Sequence, residues 1–429
     1  MIRYAMDQLL EWKNRPNRKP LILKGARQVG KTWLMKEFGR LHFKKVAYVT
    51  FYNNQRMKQV FDNDYDIPRI LMNINIEAQT EITPDDTLII FDEIQEAPRA
   101  LESLKYFCEN APEYAVIAAG SLLGVAIHEG VSFPVGKADT LELHPMSYLE
   151  FLEAMGEKQL ADLLKAKEYD VIKNFSSKYI FWLKNYYYVG GMPEVVNFFA
   201  EHKDYQEVRR LQNEILGQYE DDFGKHARNA ELARVRMVWN SIPMQLAKEN
   251  KKFFFGQIKK GARMKDFEVA IEWLLDCGLI KKVYKVNKPA MPLKAYMDFS
   301  AFKLFLLDVG LLGALSELEA GAILEGNEIF VEFKGALTEQ YVLQELISDT
   351  NYTPYYFGTD SHNFEMDFMI QKDGDAVPVE VKAETNTQAK SMKAYYQKYK
   401  PKHAIRISML DYIEQDYLTN IPLYAICSM

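Results

Sequence analysis

Apolar residues fall into short unbroken runs in the first third of the chain and into helical spacing after it. Residues 21–24, 46–51, 87–91 and 114–119 are such runs, and the first leads into a helical pattern with Trp33, Leu34 and Phe38. Runs of this length without alternation fit strands buried on both faces of a parallel sheet. Residues 132–137 and then 141–148 close that unit with another strand and the start of a helix. From 152 to 235 the spacing is helical, with Phe181, Trp182, Tyr186, Tyr187 and Tyr188 forming a dense aromatic group. Packing on a buried helix face is its expected use, ahead of stacking on nucleic-acid bases. Val269, Ile271, Leu274 and Leu275 mark a further helix, and 281–286 alternates like a strand. Residues 364–370 and 377–382 read as a hairpin around the turn Lys372-Asp373-Gly374-Asp375.

Composition narrows the class. The chain has 429 residues, 48% hydrophobic and 26% charged, which excludes disorder and fibre and leaves room for two to four domains. The three cysteines, Cys108, Cys277 and Cys427, are far apart and form no CxxC pair, so neither a zinc ribbon nor a disulfide framework is expected. The opening residues place Asp7 where a signal peptide needs apolar sequence. The least polar run, 115–127, is shorter than the roughly 20 residues of a spanning helix. A soluble cytoplasmic protein without a membrane partner is therefore expected.

The sharpest chemical signal follows the first strand. Gly25-Ala26-Arg27-Gln28-Val29-Gly30-Lys31-Thr32 matches GxxxxGK[ST] completely, between a strand and a helix. Glycines let backbone N–H groups turn inward around phosphates, and the following helix points its positive end at them. Lys31 is expected to reach the β- and γ-phosphates of ATP, and Thr32 to ligate Mg²⁺. The run 87–91 ends in Asp92-Glu93, a Walker B arrangement. Asp92 is then placed to hold the Mg²⁺ shell and Glu93 to polarise the attacking water, which favours hydrolysis over binding alone. Ser121, after the fourth run, occupies the position from which a polar side chain senses the γ-phosphate; a plain strand-to-loop turn is the alternative.

GARQVGKT, IIFDEIQ, AAGS and LELHPMS in this order, followed by Gly190-Gly191-Met192-Pro193-Glu194, resemble a family of bacterial and archaeal AAA-type ATPases with a C-terminal domain of unknown function. The resemblance implies an α/β chain: a P-loop AAA-type domain with a parallel sheet over 1–150, a helical region with a winged helix over 151–315, and a nuclease-like α/β domain over 316–429. Relatives often carry Gly-Arg before LELHPMS, where this chain has Gly136-Lys137. An arginine there would serve as a finger on a neighbouring copy in a homo-oligomer, and lysine lacks the planar fork. Arg27 and Arg99 are the other candidates. Gly190 and Gly191 are expected to end a helix, since no strand precedes them.

Net charge is −6, but twelve Lys or Arg stand against five acids in 244–294. Helix, turn, helix and ribbon in about 50 residues is the pattern of a winged helix. Its basic residues would contact DNA phosphates and make binding salt-sensitive, with a protein–protein linker as the alternative.

Toward the end, Glu380 and Lys382 share one face of a strand, and Asp367 on the neighbouring strand is placed to meet them. Two carboxylates and an ammonium on one spot suit Mg²⁺-assisted phosphodiester attack. The arrangement resembles the PD-(D/E)-x-K nuclease core, which implies Glu339 on an upstream helix as a further metal ligand. Met366 replaces the motif's leading proline. Three classes of function follow: an Mg²⁺-dependent ATPase acting on DNA, an ATP-gated switch or scaffold that cuts nothing, and a small-molecule kinase, which the Asp92-Glu93 pair and long C-terminal region disfavour.

Overall fold

The computed structural model describes residues 2–121, 133–226, 229–248, 251–326, 331–350, 352–359, 364–383 and 390–429. Ser132 of the expected closing segment lies outside them. The chain divides into two compact units, one of residues 2–144 with 276–278, the other of 145–275 with 279–429.

The first unit is built on five parallel strands, β1 (Leu21–Lys24), β2 (Lys45–Thr50), β3 (Thr87–Asp92), β4 (Ala115–Ala119) and β5 (Asp139–Glu142), in the order β2-β3-β4-β1-β5. Central β3 and β4 are buried along their whole length, as their unbroken apolar runs require, whereas edge strand β5 alternates. Helix α1 (Lys31–His42) buries Leu34, Met35 and Phe38. Trp33 departs from the expected core face and is 40% exposed. A Cβ on Gly39 would lie 2.6 Å from Val46 Cγ2, so glycine there lets α1 lie close against β2. Helix α2 (Pro98–Asn110) starts on proline and buries Leu101, Leu104 and Phe107. Phe91 meets Phe51, Phe61 and Phe107 edge-on at 5.6, 5.9 and 6.1 Å, which fills the space under the sheet.

The second unit begins with α3 (Tyr148–Ala154), whose N-terminus is closed by a capping box between Ser147 and Glu150. Helices α4 (Ser176–Val189), α5 (Pro193–His202), α6 (Tyr205–His226), α7 (Asn229–Leu246) and α8 (Met264–Asp276) follow. Tyr186, Tyr187 and Tyr188 are buried, which is the packing role expected of them, while Phe181 is exposed. Gly190 ends α4 at φ 73°. A Cβ on it would meet Asp308 Oδ1 at 2.2 Å, and one on Gly191 would meet Met146 O at 2.1 Å. The pair thus permits a close backbone crossing, with Gly191 N–H donating to Asp308 Oδ2 at 2.6 Å.

An eight-stranded mixed sheet completes this unit. Its strands are β6 (Ile280–Val286), β7 (Met297–Leu306), β8 (Tyr355–Gly358), β9 (Glu365–Lys372), β10 (Asp375–Val381), β11 (Ala404–Ser408), β12 (Ile413–Glu414) and β13 (Leu418–Pro422), in the order β12-β13-β11-β10-β9-β8-β6-β7. Helices α9 (Val309–Leu315) and α10 (Val331–Ser348) lie between β7 and β8 in the chain. β9 and β10 form the expected hairpin, with Asp373 and Gly374 at φ 51° and 78° in its turn.

Two boundaries differ from expectation. The middle and C-terminal segments form one unit, because β6 and β7 pair into the same sheet as β8 to β13. The ribbon also runs past 294, since its second strand spans Met297–Leu306. Alternation in 281–286 revealed a strand, but nothing local could reveal that its other edge pairs with residues seventy positions later. Among the described residues no helix is long and apolar enough to cross a membrane, and the three cysteines form no disulfide.

Candidate nucleotide site and C-terminal carboxylates

The phosphate loop spans the end of β1 and the start of α1. Gly25 has φ 145° and a Cβ there would lie 2.4 Å from Leu143 O, so only glycine fits. Gln28 and Gly30 also have positive φ, at 66° and 92°, which curls the loop around its own N–H groups. Ala26 and Val29 are buried and anchor it. Buried Arg3 adds a brace that the sequence did not announce, donating to Val29 O at 2.8 Å and His144 O at 2.7 Å.

Lys31 is buried and donates to Gly25 O at 2.8 Å and Ala26 O at 2.7 Å. Burial pushes its ammonium down to about 8, against the opposing pull of Glu93 and Asp92. Such a group gains most from an incoming polyanion, because phosphate charge restores what burial removes.

Asp92, at the end of β3, is the best-held acid of the site. Its Oδ2 accepts the Thr32 hydroxyl at 2.7 Å and the Tyr48 hydroxyl at 2.9 Å, and its Oδ1 accepts the Glu93 N–H at 3.0 Å. Register explains the meeting: β2 and β3 pair in parallel with Thr50 opposite Asp92, and Tyr48 lies two positions back on the same face. Burial, with Asp92 adding to it, raises the Tyr48 phenol well above its usual range and keeps it a donor. Glu93 follows at φ 52°, a left-handed conformation rare outside glycine, and its Oε2 accepts Gln95 Nε2 at 2.5 Å.

Ser121 is buried at the end of β4's loop and takes Arg27 Nε at 3.2 Å, joining it to the phosphate loop. Arg99 is exposed, with its guanidinium 5.1 Å from the Tyr65 ring centre, and Lys137 pairs with Glu109 at 2.9 Å. Gly25 to Thr32, Asp92, Glu93 and Ser121 are thus together, and the donor set suits Mg²⁺ with a nucleotide. Arg3, Tyr48 and Gln95 are additions; only Tyr48, a polar ring inside an apolar run, left a trace in the sequence.

The C-terminal carboxylates are arranged differently from expectation. Glu339, buried on α10, and Asp367, half-buried on β9, lie close enough for each to feel the other's charge. Lys251 Nζ pairs with Glu339 Oε1, Lys303 Nζ lies 3.8 Å from Glu339 Oε2, and Lys303 pairs with Glu365 Oε1 at 2.6 Å. Burial alone would raise the Glu339 carboxyl, but the two lysines outweigh it and hold it below its usual value. Asp367 is pushed up to about 7 by burial and by Glu339, while its Oδ2 accepts Val381 N–H at 2.7 Å. Glu380 is buried and turned to Lys382, 3.0 Å away. Among the described residues no group of three or more acids, histidines or cysteines is placed to hold a metal ion. Of the expected set, Glu339 thus faces Lys251 and Lys303 with Asp367 near it, and Glu380 pairs separately with Lys382.

Residues 17–152 match a family described as an AAA domain. The first unit has a parallel-sheet P-loop NTPase-like fold. Residues 180–322 and 334–426 match two domains of unknown function, DUF8612 and DUF4143. No curated protein matches the chain. Among solved structures it is similar to the Walker-type ATPase PABY2304 of Pyrococcus abyssi, with 15% identity and TM-score 0.45 over 73% of this chain and 95% of that one. It is also similar to the Aeropyrum pernix ORC1 protein in complex with DNA, with 13% identity and TM-score 0.28 over 73% and 90%. The ADP form of the Aeropyrum pernix ORC2 protein gives 14% identity and TM-score 0.29 over 78% and 93%.

Proposed function

We propose that the first unit binds ATP with Mg²⁺ and hydrolyses it, and that the chain uses nucleotide state to act on DNA. The carrying observation is Asp92, fixed by the hydroxyls of Thr32 and Tyr48 beside a complete phosphate loop, with Glu93 next in the chain. Lys31 and the loop N–H groups neutralise charge on the β- and γ-phosphates. Thr32 and Asp92 would hold Mg²⁺, which would supply further charge neutralisation on the phosphates. Glu93 orients the attacking water once it leaves Gln95, and Ser121 with Arg27 touches the terminal phosphate. Exposed Arg99 is the available finger toward a neighbouring copy. Mg²⁺-dependent ATP turnover by the purified chain tests the reading. Lys31→Ala abolishes it, and full turnover in that variant overturns the assignment.

In this reading 244–294 is a winged helix and 316–429 a nuclease-like fold. The succession of α7, α8 and the β6–β7 ribbon supports the first, and the β9–β10 hairpin with Glu339 on α10 supports the second. Exposed Lys259, Lys260, Arg263 and Lys265 precede or open α8 and suit phosphate contacts. The exposed face of α8 goes on to carry Glu268, Val269 and Glu272, and its two carboxylates make that face unsuited to a DNA groove. Contact is thus with the backbone rather than with bases.

A second reading has its own observation: lysines already neutralise Glu339 and Glu365. An ATP-gated switch or scaffold that cuts nothing fits that. Incubating linear, nicked and branched DNA with Mg²⁺ or Mn²⁺, beside Glu380→Ala, separates the two. Cleavage that the variant abolishes supports a nuclease, and its absence or persistence in the variant supports the switch.

A further inference from the structure

The pairing in the C-terminal cluster has a local cause. Phe253 N–H donates to Phe302 O at 2.8 Å, and the two rings stack at 5.8 Å, so the segment entering α8 is tied alongside β7. This tie sets Lys251, two residues before Phe253, and Lys303, one residue after Phe302, on the same group of acids. Lys303 is fully buried in β7, with its ammonium 4.8 Å from the Tyr356 ring centre. Burial would lower it, but Glu365, Glu339 and Asp367 outweigh that and keep it charged. Lys251 lies outside regular secondary structure and retains 12% side-chain exposure, so it is the removable member.

A divalent ion needs carboxylate oxygens free at about 2.0–2.6 Å. Here both Glu339 oxygens face ammonium groups, Glu365 Oε1 is taken by Lys303, and Asp367 Oδ2 by the Val381 N–H. The donors have the right chemistry for a hard cation, but their charge is already spent on two lysines. A buried ion pair broken on one side leaves an uncompensated charge that must find another partner.

We infer that Lys251 is a built-in cation that holds the Glu339–Asp367 pair and keeps divalent metal out of the C-terminal domain. Movement of the Lys251 segment away from β7 would convert the pair into a divalent-cation site. The inference concerns the state of this cluster and stands apart from ATP hydrolysis, so it is tested without nucleotide.

The experiment is a Mn²⁺ titration of the full chain, followed by electron paramagnetic resonance or calorimetry. The wild type and Lys251→Arg, which retains the charge, show no binding that depends on Glu339. Lys251→Met, which keeps the apolar stem, gains a Mn²⁺ site that disappears again in Lys251→Met/Glu339→Gln. If Lys251→Met is folded but unstable, Mn²⁺ raises its Tm and leaves that of the double variant unchanged. A wild-type Mn²⁺ site that Glu339→Gln removes overturns the inference. So does a folded Lys251→Met that gains neither binding nor Tm; should that variant not fold, the wild-type comparison with Glu339→Gln decides alone.

Discussion

The Tyr48 hydroxyl donates to the same Asp92 oxygen that receives the Thr32 hydroxyl, at 2.9 and 2.7 Å. Two donors on one oxygen aim the carboxylate at the phosphate loop, and Tyr48 can keep holding it when Thr32 turns to a metal ion. Tyr48→Phe removes that hold without changing shape. A hydrogen bond to a charged group contributes about 1.5–3 kcal/mol. We expect kcat/KM for ATP to fall about tenfold or more, with the fold retained by circular dichroism. An unchanged value would show that Thr32 alone positions Asp92.

Gly25 is the loop position with no room for a side chain. Gly25→Ala sets a Cβ against Leu143 O, in a conformation that L-residues rarely adopt. Binding of a fluorescent ATP analogue should be abolished, while Gly136→Ala, a positive-φ glycine with open space around it, leaves binding intact. Equal affinities for the two variants would contradict this account of the loop.

Glu345 and Asp349 form a buried acidic pair near the start of α3. Both Glu345 oxygens accept the Tyr148 N–H, at 3.1 and 3.2 Å. Burial, reinforced by Asp349, raises Glu345 well above its usual value, and burial with Glu150 brings Asp349 up to about 7. An acid whose folded pKa is raised binds more protons folded than unfolded. Its contribution to stability is therefore greatest below about pH 4 and declines as pH rises toward 7, by at most about 1.4 kcal/mol per pH unit for each group. Urea unfolding at pH 5 and pH 7.5 should show wild-type stability falling with pH, and a shallower fall for Asp349→Asn. An equal slope in that variant would remove Asp349 from the account.

Most of the nucleotide site was legible because each of its parts is local. The loop, the strand end Asp92-Glu93 and Ser121 each follow an apolar run whose burial the pattern itself declares. Tyr48 and Gln95 escaped because strand register and a left-handed turn bring them in; Tyr48 shows in the sequence only as a polar ring in an apolar run, and Gln95 has no signature. The C-terminal cluster was only partly legible, for the opposite reason. Glu339, Asp367 and Glu380 were read by spacing alone, while the lysines that neutralise two of the cluster's acids come from 251 and 303, brought in by a tie between Phe253 and Phe302. The basic excess of 244–294 was likewise spent in part inside the fold: Lys251 pairs with Glu339 and Lys282 with Glu272, and Lys252, Lys281 and Lys285 are also engaged.

What is left of that basic excess makes a sharper prediction. Lys259, Lys260, Arg263 and Lys265 are exposed within seven residues. Replacing Lys259 and Lys260 with Gln should weaken DNA binding equally across sequences and reduce the log–log salt slope by about 0.9 for each phosphate that a removed ammonium had neutralised. Fluorescence anisotropy over a salt series measures it, and an unaltered slope would place the nucleic-acid interface elsewhere.

The central claim is that Glu93 makes this an ATP-hydrolysing site and not only a binding one. Its most direct test is ATP binding and turnover measured side by side in Glu93→Gln. The account predicts ATP affinity within a few-fold of wild type and turnover lower by about 10²–10⁴-fold, the range for removal of a general base. Turnover at the wild-type rate in a variant that still binds ATP would contradict it.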